Sequence, residues 1–63
     1  MNYTEYIEVN SAKRFGKPCI IGTRISVYDV LNWLAEGMSI NEIISDFPEL
    51  DATQIKACLA FAD

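Results

Sequence analysis

The chain has 63 residues, five Lys or Arg against nine Asp or Glu, no histidine and a net charge of −4. That length makes one domain, which buries only about 60% of the surface its unfolded form exposes, so the core is thin. Half the residues are apolar (51%), which excludes a disordered tail, yet no apolar run approaches the roughly 18 to 20 residues that cross a bilayer.

The N-terminal stretch MNYTEYIEVN lacks a basic region followed by an apolar run, so it reads as no secretory signal, and the protein is expected in the cytoplasm. Within it YIEV alternates apolar and polar, the pattern of a strand. CIIGTRI, rich in β-branched residues around a glycine, adds one or two more, so residues 1–25 form a small β element of two or three short strands. Gly22 is the residue expected to take positive φ in a tight turn, making GKPCIIGTRIS a hairpin that feeds the first helix. The glycines and Lys17 do not make a phosphate loop, because that motif needs G-x-x-x-x-G-K-[ST] opening a helix and here the lysine precedes the strand. Cys19 and Cys58 stand far apart, neither in a C-x-x-C pair; without histidine they exclude a zinc site and read as small buried hydrophobes, with a disulfide as the alternative.

Three helix starts follow. Ser26 with Asp29, Ser39 with Glu42, and Asp51 with Gln54 each place a side-chain acceptor three residues ahead of an acidic or amide residue, the spacing of a capping box. After each start apolar residues recur at i, i+3, i+4 and i+7: Val27, Val30, Leu31 and Leu34; Ile40, Ile43, Ile44 and Phe47; Ile55, Cys58, Leu59 and Ala62. Gly37 is positioned to end the first helix and Pro48 to end the second near Phe47. Residues 26–63 are therefore a three-helix bundle with short linkers, and the whole chain, 1–63, is a single domain.

Charge divides along the same line. Residues 1–25 carry Lys13, Arg14, Lys17 and Arg24 against Glu5 and Glu8, a net of +2. Residues 26–63 carry Lys56 against Asp29, Glu36, Glu42, Asp46, Glu49, Asp51 and Asp63, a net of −6. A polyanion meets the first part more readily than the second.

The run GKPCIIGTRISVYDVLNWLAEGMSINEIISDFPELDATQIKACLAFA, about three quarters of the chain, resembles the bacterial family known as domain of unknown function 433. The matching motifs are Gly16-Lys17-Pro18, Ile21-Gly22-Thr23-Arg24-Ile25, Gly37-Met38-Ser39, Asp46-Phe47-Pro48 and Leu59-Ala60-Phe61-Ala62. The resemblance implies a mainly α fold: a small N-terminal β element before a trihelical, homeodomain-like or winged-helix-like helix-turn-helix. It also implies the antitoxin half of a toxin-antitoxin pair whose partner is a PIN-like ribonuclease. Many members continue beyond the third helix; this chain stops at Asp63, so a C-terminal toxin-wrapping tail is expected to be absent or very short.

In the helix-turn-helix reading, residues 39–47 are the supporting helix, PEL the turn and 52–62 the recognition helix, whose Thr53, Gln54, Lys56 and Ala57 face base edges. Gln54 suits adenine and Lys56 guanine or phosphate, while Glu42, Glu49 and Asp51 repel phosphates at the same end; a module kept for packing is the alternative. Lys13, Arg14, Lys17 and Arg24 form a candidate basic strip for a nucleic-acid backbone. For Arg24 the favoured alternative is a scaffold fork onto a carboxylate such as Asp29. Trp33 and Phe61 each lie about 110° from their stripe centres, either extending a contact surface or closing the sides of the core.

No nucleophile motif, metal cluster or base is recognisable, so the chain reads as a non-enzymatic regulatory module with no cofactor, no metal and no small-molecule substrate. The expected function is an antitoxin that dimerises, holds a PIN-like toxin through Trp33, Glu42, Asp46, Glu49 and Phe61, and represses its operator. A stand-alone DNA-binding regulator and a simple interaction module are the alternatives. Homodimerisation is expected because the core is thin and a lone hairpin leaves an unpaired edge.

Overall fold

The computed structural model of the chain describes residues 2–12 and 14–63. A 3₁₀ turn at Tyr3–Glu5 leads into β1 (Ile7–Val9), and a loop containing a second short turn, Arg14–Gly16, brings the chain back along it as β2 (Pro18–Ile20). The two strands are antiparallel, with Ile7 opposite Ile20, Glu8 opposite Cys19 and Val9 opposite Pro18. Three helices follow: α1 (Val27–Ala35), α2 (Ile40–Asp46) and α3 (Ala52–Ala62). The fold is thus mainly helical with a small N-terminal sheet, as the patterning predicts.

The hairpin around Gly22 differs from expectation. β2 pairs with β1 on one side, while the segment beyond Gly22 returns only a single bridge, Cys19 to Ser26. The reason is that Ser26 is already committed to α1: its N–H donates to Asp29 Oδ2 at 3.1 Å and its C=O accepts from Val30 N–H at 3.3 Å. A ladder cannot continue through a residue whose backbone is starting a helix.

The turn itself is tightly bound. Thr23 N–H donates to the Ile20 carbonyl at 3.0 Å across Gly22, whose φ of +81° has the sign that a type II turn requires at its third position. The Thr23 hydroxyl donates to the same carbonyl at 2.9 Å and accepts from Ile25 N–H at 3.0 Å, and Ile20 N–H donates to the Ile25 carbonyl at 2.9 Å. The Gly-Thr pair is therefore scaffold: the glycine permits the backbone and the hydroxyl ties both arms together.

Each expected cap forms a reciprocal box. Asp29 N–H donates to Ser26 Oγ at 3.0 Å. Glu42 N–H donates to Ser39 Oγ at 3.1 Å and Ser39 N–H to Glu42 Oε1 at 3.0 Å. Gln54 N–H donates to Asp51 Oδ1 and Asp51 N–H to Gln54 Oε1, both at 2.8 Å. These bonds satisfy amides that the first turn of a helix leaves without partners. α1 ends in a Schellman arrangement, with Gly37 at φ +99°, its N–H donating to the Leu34 carbonyl and Met38 N–H to the Trp33 carbonyl. α2 ends at Phe47, whose backbone (φ −127°, ψ 77°) has left the helical region that the following Pro48 disfavours.

The buried cluster joins every part: Ile7 and Ile20 from the sheet, Val27 and Val30 from α1, Ile43 from α2, Leu50 from the turn after it, and Ile55, Ala57 and Cys58 from α3. The stripes on α1 and α2 face this cluster, although Leu31, Leu34, Ile40 and Ile44 are half-buried at its margin. On α3 the expected stripe is corrected. Leu59 is 45% exposed and Ala62 exposed, while Ala57 is fully buried. The inward face is rotated toward Phe61 because the N-terminal 3₁₀ turn packs on α3, setting Tyr3 edge-on against Phe61 with ring centroids 5.3 Å apart. Burial of Ala57 also removes it from the residues expected to face a base. Cys19 and Cys58 are both free and buried, so the thiol reading holds and the disulfide does not.

Candidate functional site

The sequence-derived site residues fall into three places. On α3, Thr53 and Lys56 are exposed and Gln54 is half-buried. Gln54 Oε1 is engaged by Asp51 N–H in the capping box, which leaves its amide nitrogen but not its oxygen for a ligand. Pairing with adenine N6 and N7 uses both ends of the amide, so base reading by Gln54 requires the cap to open.

The second place is the basic strip. Lys17 and Arg24 are exposed on either side of β2. Lys13 lies outside the described residues, as does the side chain of Arg14. Arg24 and Asp29 share the lining of a cleft.

That cleft is the third place. It is open, has a volume of about 620 Å³, and is assembled from three separate segments. Residues 22–25 of the Gly-Thr turn line one part, Asp29 and Trp33 of α1 another, and Phe47 and Glu49, on either side of Pro48, the rest. Asp29 and Trp33 are i and i+4 on one helix and so lie on the same face. Trp33 stacks on Phe47, ring centroids 4.4 Å apart and planes 12° from parallel, which ties α1 to the end of α2. The following turn is closed by Leu50 N–H donating to the Phe47 carbonyl at 2.9 Å, which sets Glu49 at the turn, exposed.

The cleft thus gathers Arg24, Trp33 and Glu49 and leaves the other expected partner-binding residues elsewhere. Phe61 is half-buried against Tyr3, and Glu42 and Asp46 are exposed on α2 but do not line the cleft. Glu42 has a structural task as well: the Ser39 backbone N–H, and then the Ser39 side chain, hold its carboxyl below the usual carboxylate range. Thr23, Asp29 and Phe47 are site residues that sequence reasoning did not select. Their signal was present only as cap and turn chemistry, which points to structure. Among the described residues no group of three or more His, Cys, Asp or Glu is placed to hold a metal, and no helix is long and apolar enough to cross a membrane.

A small two-stranded sheet with three short, boxed helices defines a small α-rich domain class. Residues 7–62 match the model of a family described as protein of unknown function, DUF433, and the chain belongs to that family. The uncharacterized protein y4eO of Sinorhizobium fredii (strain NBRC 101917 / NGR234) is 38% identical to it over 48 residues. The match takes in 76% of this chain but only 22% of that relative, so the chain spans about a fifth of the length of the curated relative it matches. No solved structure matches the chain.

Proposed function

We propose that the chain is a non-catalytic interaction module of the antitoxin type, acting in the cytoplasm, which neutralises a basic PIN-like ribonuclease by binding it. The observation that carries this reading is the cleft, where Trp33 and Phe47 offer aromatic surface beside the exposed carboxylate of Glu49, on the half of the chain with a net charge of −6. Aromatic anchors ringed by charge are the composition of protein-binding surfaces, and a negative field speeds encounter with a cationic partner. The module is proposed to act as a homodimer, with β1, the outer strand of a two-stranded sheet whose Val9 is 66% exposed, as the contact.

The test is co-purification and titration with the product of the neighbouring reading frame. A PIN-like protein is expected to bind, and charge reversal at Asp46 and Glu49 to slow its association while leaving dissociation nearly unchanged. Glu42 is left intact because reversing it breaks the α2 cap. A neighbour that neither binds the chain nor is inhibited by it overturns the reading.

Operator binding is the second reading, favoured by exposed Thr53 and Lys56 on the first half of the longest helix and by exposed Lys17 and Arg24. In that case log affinity falls linearly with log salt, and each lost phosphate contact flattens the slope by about 0.9. Lys17→Ala and Lys56→Ala measure it. Affinity that is independent of salt removes this second reading.

A further inference from the structure

The two carboxylates and the aromatic pair of the cleft are brought together by segments far apart in sequence, and their chemistry selects an occupant. We infer that the cleft receives the arginine side chain of a basic segment on a partner protein; the inference rests on the protein-binding reading above and names the group that reading requires.

Glu49 is exposed and, among the described residues, has no hydrogen bond or ion pair, so its carboxylate is available to a cation. Asp29 Oδ2 accepts from Ser26 N–H, so Asp29 contributes negative field more than a vacant acceptor. Trp33 and Phe47 supply the aromatic surface. A guanidinium is planar, packs flat on aromatic rings and forks onto a carboxylate, whereas an ammonium is a strongly hydrated point charge that gains less from the ring pair. A volume of about 620 Å³ is enough for a side chain with its flanking backbone.

A phosphate is disfavoured, since the exposed carboxylate of Glu49 shares the lining with the one guanidinium. A second copy of the chain as occupant is distinguished by the dependence of emission on chain concentration. Arg24 is the one group of the lining that opposes a cationic guest. It therefore weakens binding, and its removal should tighten it.

Trp33 is the only tryptophan in the chain, so its fluorescence reports this cleft alone. The probe is a hexa-arginine peptide, with hexa-lysine and hexa-glutamate for comparison, titrated into the full chain. The inference expects a saturable change in Trp33 emission with Kd in the millimolar range or tighter, stronger for arginine than for lysine and absent for glutamate. Glu49→Gln should raise Kd about 2- to 5-fold, the scale of an exposed ion pair, and Arg24→Gln should lower it by a similar factor. Glu5→Gln removes the same charge outside the cleft and should leave Kd unchanged. All three sites are exposed, so the folded state survives, which thermal melting verifies.

No saturable change, an equal effect of Glu49→Gln and Glu5→Gln, or the reverse of both expected signs (Glu49→Gln lowering Kd and Arg24→Gln raising it) each overturns the inference, the last by showing an anionic guest. Emission that changes with chain concentration alone assigns the cleft to a second copy and overturns it as well. Failure here is separable from failure of the antitoxin reading. A toxin that binds the parent and Glu49→Arg equally keeps the function and removes the cleft from it. A hexa-arginine peptide that binds as expected while the neighbouring gene product does not keeps the cleft and removes that partner.

Discussion

At Cys58 a thiol is closed inside the core, and burial raises its pKa from 9.0 to about 11. The folded chain therefore holds a proton that the unfolded chain releases between about pH 9 and pH 11, and stability falls as pH rises through that window by up to about 1.4 kcal/mol per pH unit. Urea midpoints measured on either side of the window should show that loss in the parent and a smaller one in Cys58→Ala. Equal slopes would mean that the thiol does not titrate there. Phe15 presents the opposite case: fully exposed, it sits at φ +57°, a left-handed backbone that an aromatic residue adopts at a cost of roughly 1 to 2 kcal/mol. Asn tolerates that backbone and no packing is lost, so Phe15→Asn should raise stability by about 0.5 to 1 kcal/mol, read as a higher melting temperature.

Among elements, the three helix entries differ in how deeply the cap is placed. Ser26 is 1% exposed, while Ser39 and Asp51 are exposed. Removing a cap costs about 0.5 to 2 kcal/mol, and Ser26→Ala should stand at the upper end because it leaves a buried amide unpaired, with Ser39→Ala and Asp51→Ala toward the lower. Equal losses at all three would show that burial of the cap is irrelevant. The α2 box adds an acid dependence. Because the Glu42 carboxyl is held below its ordinary 4.5, its contribution is present above that value and lost as pH falls through the folded one. Glu42→Ala should flatten the acid limb of the melting curve. At the other end of α1, a Cβ on Gly37 meets nothing within 4 Å, so Gly37→Ala tests the backbone alone and should cost about 1 kcal/mol. Caps, the Gly37 stop and the Pro48 stop were legible in sequence because each depends on residues within four positions. The α3 face was not, since its rotation follows from Tyr3, which no helical wheel of residues 52–62 contains. The cleft was legible only as scattered residues: Trp33 and Glu49 stood out by type, but their meeting with residues 22–25 depends on the tertiary path.

For the molecule as a whole, stability is the small remainder expected of 63 residues, about 3 to 9 kcal/mol. Ile43 and Ile55 are fully buried, and truncating either to Ala should cost about 2 to 5 kcal/mol, enough to unfold a large fraction of the chain. Leu31→Ala and Ile44→Ala remove half-buried side chains and should cost less, and Leu59→Ser should shift the melt within about 0.5 kcal/mol. Circular dichroism melts rank all five, and a Leu59→Ser loss matching that of Ile55→Ala would restore the unrotated stripe. Ser26 carries a consequence for how the chain opens. One residue bridges to Cys19 in β2 and caps α1, so neither element can separate from the other without breaking bonds in both. Amide hydrogens at Ile20 and in the first turn of α1 should then exchange with deuterium at one common rate, as a single cooperative unit that crosses the boundary between the basic and acidic parts of the sequence.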